Sequence, residues 1–285
     1  MASHLPTSDL TKGGPHPERD EGKPLARREG RGSAARVVSA VVPPMVAVGV
    51  LVAAWQFASV FTSPILISSP VAVFKDLGTM LGEGAVQDSL LVTLREMYLG
   101  FAIAVPLGIV IGVLMGRYVA VSDVLSPLVG FFNSTPLVIL IPLMVIWVGI
   151  DSNARIFFII ALVLWPVLIN TAHGMRNVGK NYPELGLACG LSEQQLLRRI
   201  LLPASLPYMV AGIRQGLSMM VIGAVVGEIE ISNVGVGYLL AQYGASYQTG
   251  YLLALILITS LIGTANVLLF RGVVVRFLPW VMYVA

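Results

Sequence analysis

Residues 89–116 read SLLVTLREMYLGFAIAVPLGIVIGVLMG, and from Met97 to Gly116 no residue is charged. That length matches the ~20 apolar residues a helix needs to cross a bilayer. The stretch shows no alternation of polar and apolar residues, so a half-buried strand is excluded. In hydrocarbon the backbone must satisfy its own hydrogen bonds, which makes the segment a helix. Further stretches of the same kind cover 38–61, 121–148, 154–174, 206–227 and 249–270. The expected fold is therefore all-α and integral to the membrane, with six transmembrane helices.

Composition agrees. Of 285 residues, 56% are hydrophobic and 12% charged, against about 25% charged in a soluble domain. The single cysteine, Cys189, permits no intramolecular disulfide, and His4, His16 and His173 are too scattered for a metal site. Residues 1–36 are rich in Gly, Pro and charge, and are expected to be a disordered cytoplasmic tail. The transmembrane domain is expected over 37–285.

Basic residues orient the spans. With the N-terminus inside, only Lys75, Arg95 and Arg155 of the 18 Lys and Arg fall outside. Both termini are thus expected to be cytoplasmic, as is the segment 175–205 between the fourth and fifth spans. The outer segment 62–88 should hold a short helix after Ser68-Ser69-Pro70. The glycines of 228–248 suggest a loop there.

The inner segment 181–203, NYPELGLACGLSEQQLLRRILLP, leaves the bilayer yet keeps a helical pattern. Asn181 with Glu184 suits a helix start, Gly190 breaks that helix, and Ser192 with Gln195 has the spacing of a capping box. Pro203 and Pro207 should end the second helix or bend it into the fifth span. A short helix, a glycine elbow and a second helix form a knob that can seat in a partner's groove; an amphipathic loop on the headgroups is the plainer alternative.

The spacing Glu184, Gly190, Ile200-x-Leu202-Pro203 resembles the EAA signature of binding-protein-dependent ABC transporter permeases. Leu185 and Gly186 stand where that signature has alanines. The resemblance extends over roughly 64–276, through SPILISSPVAVFKDL, TLREMYLGFAIAVPLGIVIGVLMG, TPLVILIPLMVIWVGI and WPVLINTAHGMRNV. It is greatest to the nitrate, sulfonate and taurine subgroup. It implies that Glu184, Gly190, Leu191, Ser192, Ile200, Leu202 and Pro203 contact a separate ATPase subunit, with ATP bound by that partner and no cofactor in this chain. It also implies a homodimer in the bacterial plasma (inner) membrane, an extracytoplasmic solute-binding protein, and a small organic or inorganic anion as solute. Lipid is the other expected partner, and nucleic acid is not one.

Gly108, Gly112 and Gly116, and likewise Gly212-Gly216 and Gly223-Gly227, sit at spacings that let helices approach closely; packing within the chain is expected over a subunit contact. Pro106, Pro136, Pro142 and Pro166 permit bends inside spans. Asn133, Ser134, Thr135, Pro136 and Glu228 are candidates for the translocation path. Arg95, Glu96, Glu228 and Glu230 lie near outer ends and are expected to be solvated at the interface, with a polar vestibule as the other use. Asn133-Ser134-Thr135 matches the N-glycosylation pattern only by chance. No P-loop is present, nor a nucleophile–base pair, so an enzyme is not expected. An ion-coupled secondary transporter is the alternative function, and would need ionisable groups within the spans.

Overall fold

The computed structural model describes residues 33–82, 84–178 and 181–283. Residues 1–32 of the expected tail lie outside these. The chain divides into two compact units, residues 1–51 and 52–285. The described part of the first is the leading portion of helix α1 (Ser33–Val60).

Every regular element among the described residues of the second unit is a helix. Its elements are α2 (Pro70–Gly82), α3 (Ala85–Arg117), α4 (Val119–Ser134), α5 (Ile141–Val148), α6 (Ser152–Asn177), α7 (Asn181–Ala188), α8 (Glu193–Leu196), α9 (Leu202–Ile231), α10 (Val236–Ala245) and α11 (Thr249–Phe277). Among the described residues five helices can cross a membrane by length and composition, or six if the bent pair α4 and Leu137–Val148 is one span.

Helix α6 is the centre, lying between α3 and α9. Gly108, Gly112 and Gly116 of α3 abut Val167, Thr171 and Met175 of α6, while Gly212, Gly216 and Gly223 of α9 abut Asn170, Val163 and Ile159 on its other side. The glycine steps therefore serve packing within the chain, as expected. Met97, Ala104, Ile159, Val163, Val167, Leu217, Met220 and Ala224 fill the layer they leave. Large apolar residues of α3 such as Ile103, Leu107 and Val110 point outward and are exposed. Small residues inside and large ones outside is the pattern of a bundle solvated by lipid.

The expected third span is not one straight helix. It breaks between α4 and the turn Leu137–Leu140 that leads into α5, with a bend of 93°. Pro136 has no N–H, and it forces the residue before it out of the helical region; Thr135 is accordingly extended at φ −85°, ψ 128°. The hydroxyls of Ser134 and Thr135 donate to the carbonyls of Gly130 and Phe131, each at 2.8 Å, and so find local partners at the broken end.

Two further expectations change. Pro203 and Pro207 do not end the helix after the elbow: Glu193–Ile231 is continuous. Leu197–Leu201 widens into a π-turn, in which the Leu202 N–H donates to the Leu197 carbonyl. Such a turn absorbs the donor that Pro203 lacks. The 228–248 segment contains a helix, α10, because Val236 and Leu240 bury themselves with Val73, Met80, Ala254 and Leu255. The helix expected after Ser69 is present as α2, and the Ser69 hydroxyl accepts from the Ala72 N–H at 3.3 Å.

Candidate functional site

The elbow of residues 181–203 is built by the local sequence. Helix α7 ends in a paired turn: the Leu191 N–H donates to the Gly186 carbonyl at 3.1 Å and the Gly190 N–H to the Leu187 carbonyl at 2.9 Å. That pattern requires a left-handed residue just past the helix, and Gly190 has φ +79°. A side chain there is strained whatever the space around it. Two residues on, the expected capping box forms: the Ser192 hydroxyl accepts from the Gln195 N–H at 3.3 Å, and Gln195 Oε1 accepts from the Ser192 N–H at 2.9 Å.

The elbow has an anchored face and a bare face. Leu196 and Leu201 are buried with Met175 and Met209, and Ile200 and Leu202 pack at their edge. Gly186 lies against Leu196 and Ile200. On the bare side Tyr182, Leu185 and Leu187 are more than half exposed, beside an exposed Glu184. Ser192 and Pro203 are exposed too, and Leu191 is half-buried. Arg117, at the end of α3, reaches Glu193 at 3.2 Å and tethers the elbow to the bundle.

The second candidate region lies at the break after α4. Asn133, Thr135 and Pro136 line a cavity of about 420 Å³ together with Phe132, Trp165 and Gln215. Ser134 does not line it. The Asn170 amide donates to Gln215 Oε1 at 3.3 Å and so joins α6 to α9 in the cavity wall. Phe132 stacks on Trp165 with ring centroids 5.2 Å apart. No charged residue is among those lining it. Sequence reasoning passed over Asn170 and Gln215; the available signal was an uncharged polar side chain isolated in an apolar span.

Glu228 is elsewhere. It is fully buried, accepting from the Thr93 hydroxyl and from the Gly237 N–H, each at 2.7 Å. Glu96 is buried as well and is paired with Arg155. Arg95 and Glu230 are exposed, whereas the expectation of interfacial solvation fails for Glu96 and Glu228, which are buried. Burial is tolerable because each carboxylate has partners of its own. Gly235, at φ +101°, has the Glu228 carboxylate where its side chain would begin.

Residues 104–281 match the model of the binding-protein-dependent transport system inner membrane component. The chain is 32% identical to the putative aliphatic sulfonates transport permease protein SsuC of Escherichia coli, over 78% of this chain and 85% of the relative. It is 28% identical to the formylaminopyrimidine transport permease protein ThiX of Halalkalibacterium halodurans, over 81% of this chain and 92% of the relative. The fold is similar to the crystal structure of an amino acid ABC transporter, at a TM-score of 0.55 and 17% identity, covering 70% of this chain and 96% of that one. The apolar helices, the family match and these relatives agree, and the chain belongs to the binding-protein-dependent transport system inner membrane components, as a multi-pass permease of an ABC importer.

Proposed function

We propose that residues 181–203 form the cytoplasmic coupling element through which a separate ATPase drives this permease, and that the chain itself performs no catalysis. The observation that carries this reading is the elbow: a glycine at φ +79° locks two short helices together, and its bare face presents Tyr182, Leu185 and Leu187 beside Glu184. An apolar helical face of this kind matches a groove on a soluble protein. The rigid caps at Gly190 and Ser192 let a push on α7 pass directly into the continuous helix through α9.

Two copies would form the path, with both termini and the elbow on the cytoplasmic side and a solute-binding protein delivering from the other. The solute is a small organic or inorganic anion. The sulfonate relative supports that class, while the formylaminopyrimidine relative marks how far substrates range among similar chains. Gly190→Val is expected to reduce copurification of the tagged ATPase by about tenfold, since a β-branched residue costs ~1–2 kcal/mol in this conformation and disorders the elbow. Wild-type copurification by that variant would refute the coupling role. Uptake that survives deletion of the ATPase and collapses with the proton gradient would support an ion-coupled carrier instead.

A further inference from the structure

A second, smaller cavity of about 210 Å³ adjoins the first, sharing Asn133 and Ile169 with it. One wall is a stripe of α4, from Ser126 through Val129 and Gly130 to Asn133; the other is a stripe of α6, from Ile169 through Ala172 and His173 to Arg176. The two stripes enclose a groove that runs from the uncharged cavity toward the end of the bundle carrying the elbow.

Arg176 lies at that end, exposed, with one of its nitrogens bonded to the bundle. Its Nη2 donates to the Met115 carbonyl at 3.2 Å and to the Ser122 hydroxyl. Ser122 is in turn 3.2 Å from Ser126. These acceptors are all neutral, and among the described residues no carboxylate pairs with Arg176. A guanidinium carries five N–H donors. Nε and Nη1 make no hydrogen bond among the described residues. His173 sits one turn earlier on the same face and also lines the groove. No Asp or Glu lines either cavity. An exposed cation with spare donors, lining space without acid, can receive an oxyanion. The space is several times the ~30 Å³ share of one water.

We propose that this groove is a subsite for the oxyanion group of the transported solute, with Arg176 supplying the charge and Asn133 passing the solute from the larger cavity. It rests on the reading of this chain as the solute pathway, and adds the residues that select for the anion.

The test uses the full-length protein in phosphatidylcholine nanodiscs, with trifluoromethanesulfonate as probe and its fluorine NMR line as readout. Wild type should broaden that line beyond empty nanodiscs. Arg176→Gln should weaken binding by about tenfold, and Arg176→Lys by less, since it keeps the charge without the fork. Asn133→Asp, a change of equal shape that leaves the arginine intact, should also weaken binding by about tenfold through like charge. Trifluoroethanol, which is neutral, should respond alike to every variant, as it would not if the groove had collapsed. Wild-type binding by Asn133→Asp would overturn the proposal. So would loss of probe binding when phosphatidylglycerol replaces phosphatidylcholine at an ionic strength that screens the surface charge, which would make the groove a lipid headgroup site. ATPase copurification is expected to be unchanged in Asn133→Asp. Failure of wild type to copurify the ATPase would sink the coupling reading and leave the anion result standing.

Discussion

Glu96 and Arg155 are 59 positions apart in the chain and meet inside it, with Arg155 Nε 2.8 Å from Glu96 Oε2 and Nη2 2.6 Å from Oε1. The Ser152 hydroxyl donates to Oε1 at 2.8 Å. Neither charge is more than 5% exposed. Either one alone would be expensive in an apolar helix bundle; together they form a two-pronged pair, with the Ser152 hydroxyl as a third donor to the carboxylate. Removing one partner therefore costs more than removing both. Glu96→Ala should destabilise the detergent-solubilised protein by about 3–5 kcal/mol, because it strands Arg155. Glu96→Ala with Arg155→Met should recover most of that loss. Denaturation midpoints for the two single changes and the double change test this, and a loss in the double variant equal to the sum of the two single losses would show that the pair does not act as one. The sequence shows each residue near a span end but not the partner across the bundle, so solvation was the natural expectation for Glu96.

Helix positions were legible because length and apolarity alone determine a spanning helix. The glycine steps of α3 and α9 were legible for a similar reason: side chains recurring every fourth residue share a face. A Cβ on Gly112 would lie 2.6 Å from the Leu168 carbonyl oxygen and 2.7 Å from Thr171 Cβ, and a backbone oxygen cannot swing away. Gly112→Leu should accordingly separate α3 from α6 at that turn and cost about 1–3 kcal/mol as an overpacked core does. Gly130→Leu on α4, where an added Cβ meets nothing within 4 Å, should be near neutral by comparison. Thermal unfolding of the two variants side by side decides the point. The π-turn and α10 were not legible, since both depend on what surrounds them. Pro203 signals a missing donor but not whether the helix stops or widens around it, and the glycines of 228–248 read as a loop until the buried Val236 and Leu240 are seen. At the elbow the capping residues could be found in advance because Gly190 and Ser192 act on their immediate neighbours.

At the scale of the molecule, everything proposed for the elbow depends on which side of the bilayer it occupies. Arg117, Arg176, Arg198 and Arg199 belong to the same end of the bundle as the elbow, through the Arg117–Glu193 pair and the packing of Met175 with Leu196 and Leu201. Basic residues gathered at one end are held on the cytoplasmic side. Cys189 gives a direct measurement, because it is the sole cysteine of the chain, lies in the elbow turn and is exposed. A membrane-impermeant maleimide should leave Cys189 unmodified in intact spheroplasts and label it in inverted vesicles. Bound ATPase should then protect it, since the exposed Leu185 and Leu187 flank the same turn. Labelling in intact spheroplasts would place the elbow opposite any cytoplasmic motor. Labelling in inverted vesicles that ATPase does not slow would keep the topology but move the docking surface away from α7.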